Sequence, residues 1–382
     1  MVSVFVGGCT KKETSAHESA HAGANIAAKS AQQVEPAAAT PAEAQRAVAD
    51  AGPPPPSTRF VGRWVKEGAG MRCSWSGCYV VGRFTGTGVS ARIKDEGFNL
   101  LQVIVDGEFK KVLRLDKSKG ETSYVLAEAL PDGVHEVAIH KRTESKVGEL
   151  VFHGFEPKDG KMVPGAPPPE RRIETLGDSI TTGYGNEGPG AACGYVNSEQ
   201  NEYLTYGAIA ARNLNADHST IAWSGKTQYE MRVYFDKSLP GTRETEGPKW
   251  DFSQWQPHVV VLNVGTNDFA NIDPGEARFV RQYLELMKTV RAAYPQAFVV
   301  IALGSMLSDV YPENRRNLTQ ARKYFKTVVA KLRESSETNF DFLEFPEQSH
   351  TDGLGCGFHP SLKTHKLMAD RLTAFIKEKV GW

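Results

Sequence analysis

The apolar pattern of this chain changes its period at a proline-rich segment, Pro164–Pro169, and no other feature constrains the fold as strongly. Before this segment, short apolar runs alternate with polar residues between Gly, Asp and Asn. After it, nearly unbroken apolar runs alternate with stretches of helical period. The first pattern is typical of antiparallel strands, and the second of parallel strands covered by helices on both faces. The chain of 382 residues is therefore predicted to hold two domains of different class.

The first domain is predicted over residues 58–163, followed by a proline-rich linker over 164–170. Its alternating runs are Cys78–Phe84, Val89–Ile93, Leu100–Val105, Tyr124–Ala127, Val134–Ile139 and Glu149–Phe152. About eight strands with no helical stretch indicate a β-sandwich, of the jelly-roll type. No catalytic constellation stands out in this domain.

The second domain is predicted over residues 171–382. Its extended runs are Arg172–Leu176, Ser219–Trp223, His258–Val264, Ala297–Leu303 and Phe340–Phe345. Its helical stretches are Glu202–Asn213, Gly275–Ala293, Arg315–Ser335 and Ser361–Lys379. This alternation predicts a three-layer α/β domain with a parallel sheet, in which ligands bind beyond the carboxyl ends of the strands.

Residues 1–57 are predicted to form a disordered export and tether segment. From residue 10 onwards they hold almost no large apolar side chain and end in Gly52–Pro56, so they cannot bury enough surface to fold. Val6-Gly7-Gly8-Cys9 resembles the lipobox of bacterial lipoproteins, with Cys9 as the lipidated residue, which implies export to the cell surface, the periplasm or the medium. Its apolar stretch is short and lacks a basic flank. A chance match and a plain disordered tail are the alternatives.

Charge and the lengths of the apolar runs argue against two classes of partner. Lysine and arginine number 45, as do aspartate and glutamate, so there is no overall attraction to nucleic acid. No apolar run approaches the roughly 20 residues of a membrane helix, which leaves the N-terminal anchor as the only predicted membrane contact. Zinc is not expected, because neither cysteine pair lies at finger-like spacing with histidines.

Four loops of the second domain carry candidate catalytic residues. The first strand ends in Gly177-Asp178-Ser179-Ile180-Thr181, where a serine at the head of a helix meets free N–H groups and the local dipole. It is not the Gly-x-Ser-x-Gly elbow, since Thr181 replaces the second glycine. Later loops supply Gly225, Asn267 and His359. Each alone would be ordinary turn or capping chemistry.

Together these four residues resemble the defining set of the SGNH, or GDSL-like, hydrolase superfamily. Further stretches look like carbohydrate esterase family 2 in particular, and they are Cys73–Gly77, Val103–Gly107, His135–Glu144, Gly183–Gly188 and Gly355–Pro360. The resemblance implies a serine esterase without metal or cofactor that removes O-acetyl groups from plant polysaccharides such as xylan or glucomannan. His359 would activate Ser179 to form an acetyl-enzyme. The N–H groups of Ser179 and Gly225 and the Asn267 amide would form the oxyanion hole.

One departure from the superfamily concerns the histidine. The usual aspartate two or three residues before it is replaced by Gly357 and Cys356. We therefore expect a Ser179–His359 dyad in which a main-chain carbonyl orients the imidazole. The alternative is that Asp352 reaches back through the glycine-rich loop.

The remaining candidates are cysteines and aromatic residues. Bridges are expected between Cys73 and Cys78 and between Cys193 and Cys356, with buried free thiols as the alternative. Trp223 first, then Tyr184 and Tyr195, are predicted to stack on a sugar ring, with core packing as the alternative.

Two other functions stay open at this stage. The first is a general lipid or aryl esterase of the same superfamily, which would have a longer apolar acyl pocket. The second is a catalytically silent carbohydrate-binding protein, against which the intact set of four site residues argues.

Overall fold

The structure is a computed structural model that describes residues 56–240 and 247–382. The predicted tether up to residue 55, with Cys9, lies outside the described residues. Among the helices that are described, none is long and apolar enough to cross a membrane.

The first domain is a β-sandwich of two five-stranded antiparallel sheets, as predicted. In spatial order, one sheet is β1 (Thr58–Val61), β4 (Tyr79–Thr85), β9 (Val134–Lys141), β6 (Leu100–Val105) and β7 (Glu108–Arg114). The other is β2 (Trp64–Glu67), β3 (Gly70–Cys73), β10 (Leu150–Lys158), β5 (Gly88–Asp95) and β8 (Glu121–Ala127). The prediction missed β1 to β3, which are short, and β7, whose charged residues are mostly exposed.

The second domain has a five-stranded parallel sheet with helices on both faces, which confirms the predicted class. Its spatial order is β12 (Ala216–Ala222), β11 (Arg171–Gly177), β13 (Val259–Asn263), β14 (Phe298–Leu303) and β15 (Phe340–Glu344). The helices are α1 (Ser179–Thr182), α2 (Tyr206–Asn213), α3 (Gln228–Tyr234), α4 (Glu276–Ala293), α5 (Asn317–Glu334) and α6 (Leu362–Val380). Helices α2 and α6 pack together over one buried cluster, while α4 and α5 contribute to the other.

Two helices differ from the prediction. Helix α2 begins four residues later than expected, because the Thr205 side chain accepts the N–H of Ala208 and caps it there. Helix α3 was not predicted, since it is only seven residues long. Its start is nevertheless a capping box between Thr227 and Glu230, a signal that the sequence does contain.

The two domains share one hydrophobic core. A single buried cluster runs from Trp64 and Trp75 of the sandwich to Phe235 and Tyr294 of the α/β domain. The Arg63 side chain, 1% exposed, crosses between them. Its guanidinium donates to the main-chain carbonyls of Phe235 and Lys237 and lies 3.4 Å from the Glu174 carboxylate.

The predicted bridge between Cys73 and Cys78 is wrong in this structure, where both residues are buried free thiols. Both side chains belong to the shared core, and the Cys78 thiol lies 3.7 Å from the carbonyl oxygen of Arg63. They thus behave as small apolar residues with a weak S–H donor. Burial raises the pKa of the Cys73 thiol well above its ordinary value.

Candidate active site

Three of the predicted site residues follow neighbouring strands of the parallel sheet. Ser179 follows β11, Gly225 follows β12 and Asn267 follows β13. The chain leaves β11 for β12 on one side and then crosses to β13 on the other, so the strand order reverses at β11. Such a reversal opens a crevice at the carboxyl ends of the strands. His359, between β15 and α6, lies in a loop at this same end.

Ser179 begins α1 directly after a tight turn. The Asp178 side chain accepts the N–H of Ile180 at 3.0 Å and so caps the helix. The Ser179 hydroxyl does not cap the helix and contacts His359 instead. Burial, opposed by that hydrogen bond, raises the pKa of the Asp178 carboxyl to about 7. A side chain at Gly177 would meet Thr181 Oγ1 at 1.9 Å, which explains the glycine. Because α1 is one turn long, its free N–H groups matter more here than its dipole.

The His359 ring connects Ser179 to the main chain. His359 Nε2 lies 2.8 Å from Ser179 Oγ, and Nδ1 lies 3.1 Å from the carbonyl oxygens of both Cys356 and Gly357. Carbonyls only accept hydrogen bonds, so Nδ1 carries the proton and the Nε2 lone pair is free to accept the serine hydroxyl. This arrangement can deprotonate the serine as it attacks an ester.

Asp352 does not take part in this chain of contacts. Its carboxylate lies 2.7 Å from Lys363 Nζ, and its main-chain carbonyl accepts the hydroxyl of Ser361 at 2.8 Å. Its partners therefore lie at the start of α6. The His359 imidazole is therefore oriented by the Cys356 and Gly357 carbonyls and has no contact with the Asp352 carboxylate.

The environment of His359 favours the neutral imidazole. Burial lowers its pKa to about 4, the two carbonyls at Nδ1 oppose that change, and the Lys146 ammonium lowers the pKa further. The neutral ring is the form that accepts a proton from serine.

A pH profile tests this electrostatic assignment. The base is active above its pKa, so a lowered pKa keeps it active at lower pH. We expect kcat/KM for a small acetyl ester to stay on its plateau through pH 6 and to fall on the acid side with an apparent pKa clearly below the ordinary 6.5, towards about 4. Acetate release should be measured in buffers of constant ionic strength. An acid limb at or above 6.5 in a stable enzyme would contradict the assignment.

Gly225 and Asn267 offer donors in the loops that follow the strands on either side of β11. Gly225 has φ of +82°, a left-handed conformation that suits glycine. Within the described residues, neither the Ser179 N–H nor the Gly225 N–H has a protein acceptor. The Asn267 amide donates one hydrogen to the Lys226 carbonyl at 3.0 Å and keeps its second. Free donors at this position can stabilise an oxyanion.

The histidine loop is fastened to the segment that follows α1. The N–H of Cys356 donates to the Gly185 carbonyl at 2.9 Å, and that of Gly357 donates to the Cys193 carbonyl at 3.0 Å. A disulfide joins Cys193 to Cys356, with Cα atoms 4.7 Å apart. The carbonyls that hold His359 therefore lie on a cross-linked loop.

Thiol titration tests the arrangement of the cysteines. In a Cys9→Ser variant denatured without reductant, we expect two reactive thiols, those of Cys73 and Cys78. Four thiols would show that the Cys193–Cys356 bridge is absent, and none would show that both predicted bridges form. Peptide mapping after alkylation identifies which residues react.

Of the three predicted aromatic residues, Tyr184 packs on the histidine and Tyr195 packs on Tyr184. The Tyr184 ring is 4.3 Å from the His359 ring between centroids, and the Tyr195 ring is 4.9 Å from Tyr184. The Tyr195 hydroxyl donates to the Gln200 side chain at 2.8 Å. The rings of Tyr184, Tyr195 and His359 therefore form one continuous stack next to Ser179.

Trp223, predicted as the first sugar contact, packs at the domain interface instead. Its ring centroid lies 6.5 Å from that of Trp75 and 5.0 Å from that of Tyr234. The core-packing alternative therefore describes it better. Phe358, next to His359 in the chain, was not predicted, although it is 60% exposed.

Glu144 and Lys146 of the sandwich were also missed. They follow β9, and the Glu144 carboxylate accepts the N–H of Ser224, the residue before Gly225, at 2.8 Å. Lys146 Nζ lies 4.2 Å from the Tyr195 ring centroid. In the sequence they look like an ordinary charged turn, and the only signal was that Glu144 ends a stretch with family resemblance.

No group of three or more metal-ligating side chains is found among the residues with described coordinates.

Comparison with known proteins covers both domains. Residues 60–168 match the family model "Carbohydrate esterase 2 N-terminal", and residues 175–367 match "GDSL-like Lipase/Acylhydrolase family". The chain is 40% identical over 319 residues to cellulase/esterase CelE of Acetivibrio thermocellus, covering 82% of this chain but only 38% of that protein. It is 28% identical over 328 residues to an acetylxylan esterase / glucomannan deacetylase of Cellvibrio japonicus, covering 81% of this chain and 86% of that one.

A solved structure supports the same assignment. The family two carbohydrate esterase from Clostridium thermocellum, in complex with cellohexaose, aligns with a TM-score of 0.79 at 38% identity. The alignment covers 85% of this chain and 99% of that one. The matched domains, their order and the shared architecture leave one conclusion, that this protein belongs to carbohydrate esterase family 2.

Proposed function

We propose that this protein is a carbohydrate O-acetylesterase that works through a Ser179–His359 dyad and an acetyl-enzyme. The observation that carries the proposal is the 2.8 Å contact between His359 Nε2 and Ser179 Oγ, on a ring held by two main-chain carbonyls. The family assignment is consistent with it.

In the first half of the reaction, Ser179 Oγ attacks the acetyl carbonyl carbon while its proton passes to His359 Nε2. The negative charge that develops on the carbonyl oxygen is stabilised by the N–H groups of Ser179 and Gly225 and by the Asn267 amide. The C–O bond to the sugar then breaks, and the imidazolium returns its proton to the departing sugar oxygen.

In the second half, water replaces the sugar. His359 takes a proton from the water as its oxygen attacks the acetyl-enzyme, and the same three donors hold the new oxyanion. The Ser179 oxygen leaves with the proton from His359, and acetate is released. The cycle needs one base and one nucleophile, which is what the geometry supplies.

The proposed substrate is an acetylated plant polysaccharide such as xylan or glucomannan. This is supported by the activities for which the Cellvibrio japonicus relative is named and by cellohexaose in the Clostridium thermocellum structure. Tyr184 beside His359, Tyr195 beside Tyr184, and the exposed Phe358 offer flat surfaces on which a sugar ring can stack.

One comparison of substrates tests the proposal. Acetate release should be measured from acetylated xylan and acetylated glucomannan, beside a long-chain aryl ester as control. We expect acetate from the polysaccharides and little hydrolysis of the long-chain ester. Preference for the long-chain ester would favour a general lipid or aryl esterase. Binding of cellohexaose without any hydrolysis would favour a silent carbohydrate-binding protein.

We also infer that the protein is exported, which suits a polysaccharide substrate. The lipobox-like Val6–Cys9 and the Cys193–Cys356 disulfide support this. Labelled palmitate should enter the wild type and not a Cys9→Ser variant, and absence of label from both would leave no support for the anchor.

A further inference from the structure

Glu144 is a fully buried carboxylate for which the proposed reaction has no role. It belongs to the sandwich, yet its side chain is 0% exposed and reaches the α/β domain. One oxygen, Oε2, accepts the N–H of Ser224 at 2.8 Å. The other, Oε1, lies 2.8 Å from Lys146 Nζ. Burying a charge is costly unless it is paired. These two contacts make the burial of Glu144 tolerable, and the question is what the buried carboxylate does at this place.

The hydrogen bond from Ser224 restrains the loop that carries Gly225. On its other side, the Ser224 hydroxyl lies 3.2 Å from the hydroxyl of Thr182 in α1. The residue before Gly225 is therefore held both by the sandwich and by the helix that bears Ser179. A hydrogen bond to an ionised acceptor is stronger than a neutral one. Such a bond can fix the direction of the Gly225 N–H before substrate arrives.

A carboxylate so close to the oxyanion hole has an electrostatic disadvantage. Its negative charge opposes the negative charge that develops on the acetyl oxygen, and this effect is large where water is excluded. Lys146 offsets that charge through its contact with Oε1. The same ammonium lies 4.2 Å from the Tyr195 ring centroid and 5.3 Å from that of Tyr184, whose ring packs on His359. The pair thus touches both the loop that carries Gly225 and the two tyrosine rings next to His359.

We propose that Glu144 is a positioning residue that orients the Gly225 oxyanion donor from the sandwich domain, and that Lys146 neutralises its charge there. The active site is then completed by both domains. This inference rests on the proposed esterase function, because it assigns the position of a donor in that reaction.

Four variants test the pair. Glu144→Ala removes the acceptor, and we expect kcat for acetyl ester hydrolysis to fall roughly 10- to 100-fold with KM within about twofold, less than the 10²–10³-fold loss when an oxyanion donor is deleted. Glu144→Gln keeps an amide oxygen for the Ser224 N–H and should stay within about fivefold of wild type. Lys146→Met leaves the carboxylate unneutralised and should lower kcat about tenfold. The double variant Glu144→Gln/Lys146→Met should recover to the level of Glu144→Gln.

Arg59→Met is the matched control for loosening of the interface. Arg59 pairs with Asp217 at 2.6 Å across the same domain boundary, but at the amino end of β12, away from the serine. We expect the Tm of Arg59→Met to fall while its kcat stays at the wild-type value.

Unchanged kcat in Glu144→Ala, or additive losses in the double variant, would overturn the inference. If Glu144→Gln is as inactive as Glu144→Ala, orientation through the hydrogen bond is excluded. Failure of the proposed function would look different, since the wild type itself would release no acetate.

Discussion

Replacement of Ser179 by alanine will lower kcat for acetyl ester hydrolysis by about 10⁴-fold or more. Ser179 Oγ is the atom that bonds to the acetyl carbon in the proposed mechanism, and its contact is with the His359 base at 2.8 Å. The substitution removes one hydroxyl from a site that is 8% exposed, so the fold and Tm should be almost unchanged. Acetate release and thermal melting measure the two quantities.

Two observations separate loss of chemistry from loss of binding in this variant. If the wild type binds cellohexaose, its Kd should be the same in the variant, because the serine hydroxyl contributes little to the proposed sugar-stacking surface. Wild-type enzyme quenched early in a reaction with an aryl acetate should carry an acetyl group on the peptide that contains Ser179. A Ser179→Ala variant that keeps more than about a tenth of wild-type activity would mean that another group is the nucleophile.

His359→Ala should cause a loss of similar size, about 10⁴-fold, because the serine then has no base. Asp352→Ala should retain most activity, since the Asp352 carboxylate pairs with Lys363 at 2.7 Å and the His359 Nδ1 proton goes to main-chain carbonyls. Both are measured as kcat for the same acetyl ester. Added imidazole should restore part of the activity of His359→Ala and none of that of Ser179→Ala.

These two histidine-loop variants test the dyad against a triad. A dead Asp352→Ala enzyme with an unchanged melting temperature would overturn the dyad, because it would require a carboxylate to act through His359. Substitution of side chains cannot remove the Cys356 and Gly357 carbonyls. The orientation of the imidazole should therefore tolerate many substitutions nearby, as long as the loop conformation is kept.

The second domain was easier to predict from sequence than the first. Its central strands are buried on both faces, so runs such as residues 259–262 are continuous in apolar residues and separated by long amphipathic helices. In the sandwich, β7 (Glu108–Arg114) is mainly exposed and charged, and it owes its strand conformation to pairing with β6. Pairing of this kind leaves little local pattern for sequence reasoning to find.

In the site, too, residues placed by the order of strands and helices could be predicted, whereas contacts between the two domains could not. Ser179, Gly225, Asn267 and His359 each follow a strand or precede a helix, and the order of those elements brings them to one end of the sheet. The sequence left Trp223 open between sugar stacking and core packing, because its contact with Trp75 forms only when the two domains pack together. Glu144 could not be foreseen either, since it meets Ser224 only after two separate domains have packed together.

The position of Arg63 has a consequence for how such enzymes can be recombined. Inside the α/β domain, Glu174 accepts hydrogen bonds from Ser219 and Tyr294, but the cation facing it comes from the other domain. Without the sandwich, a hydrolase begun at residue 171 would lose Arg63, which among the described residues is the cation that pairs with Glu174. The proline-rich linker is thus a poor crossover point for chimeras, and the module that can be exchanged between polypeptides is the pair of domains.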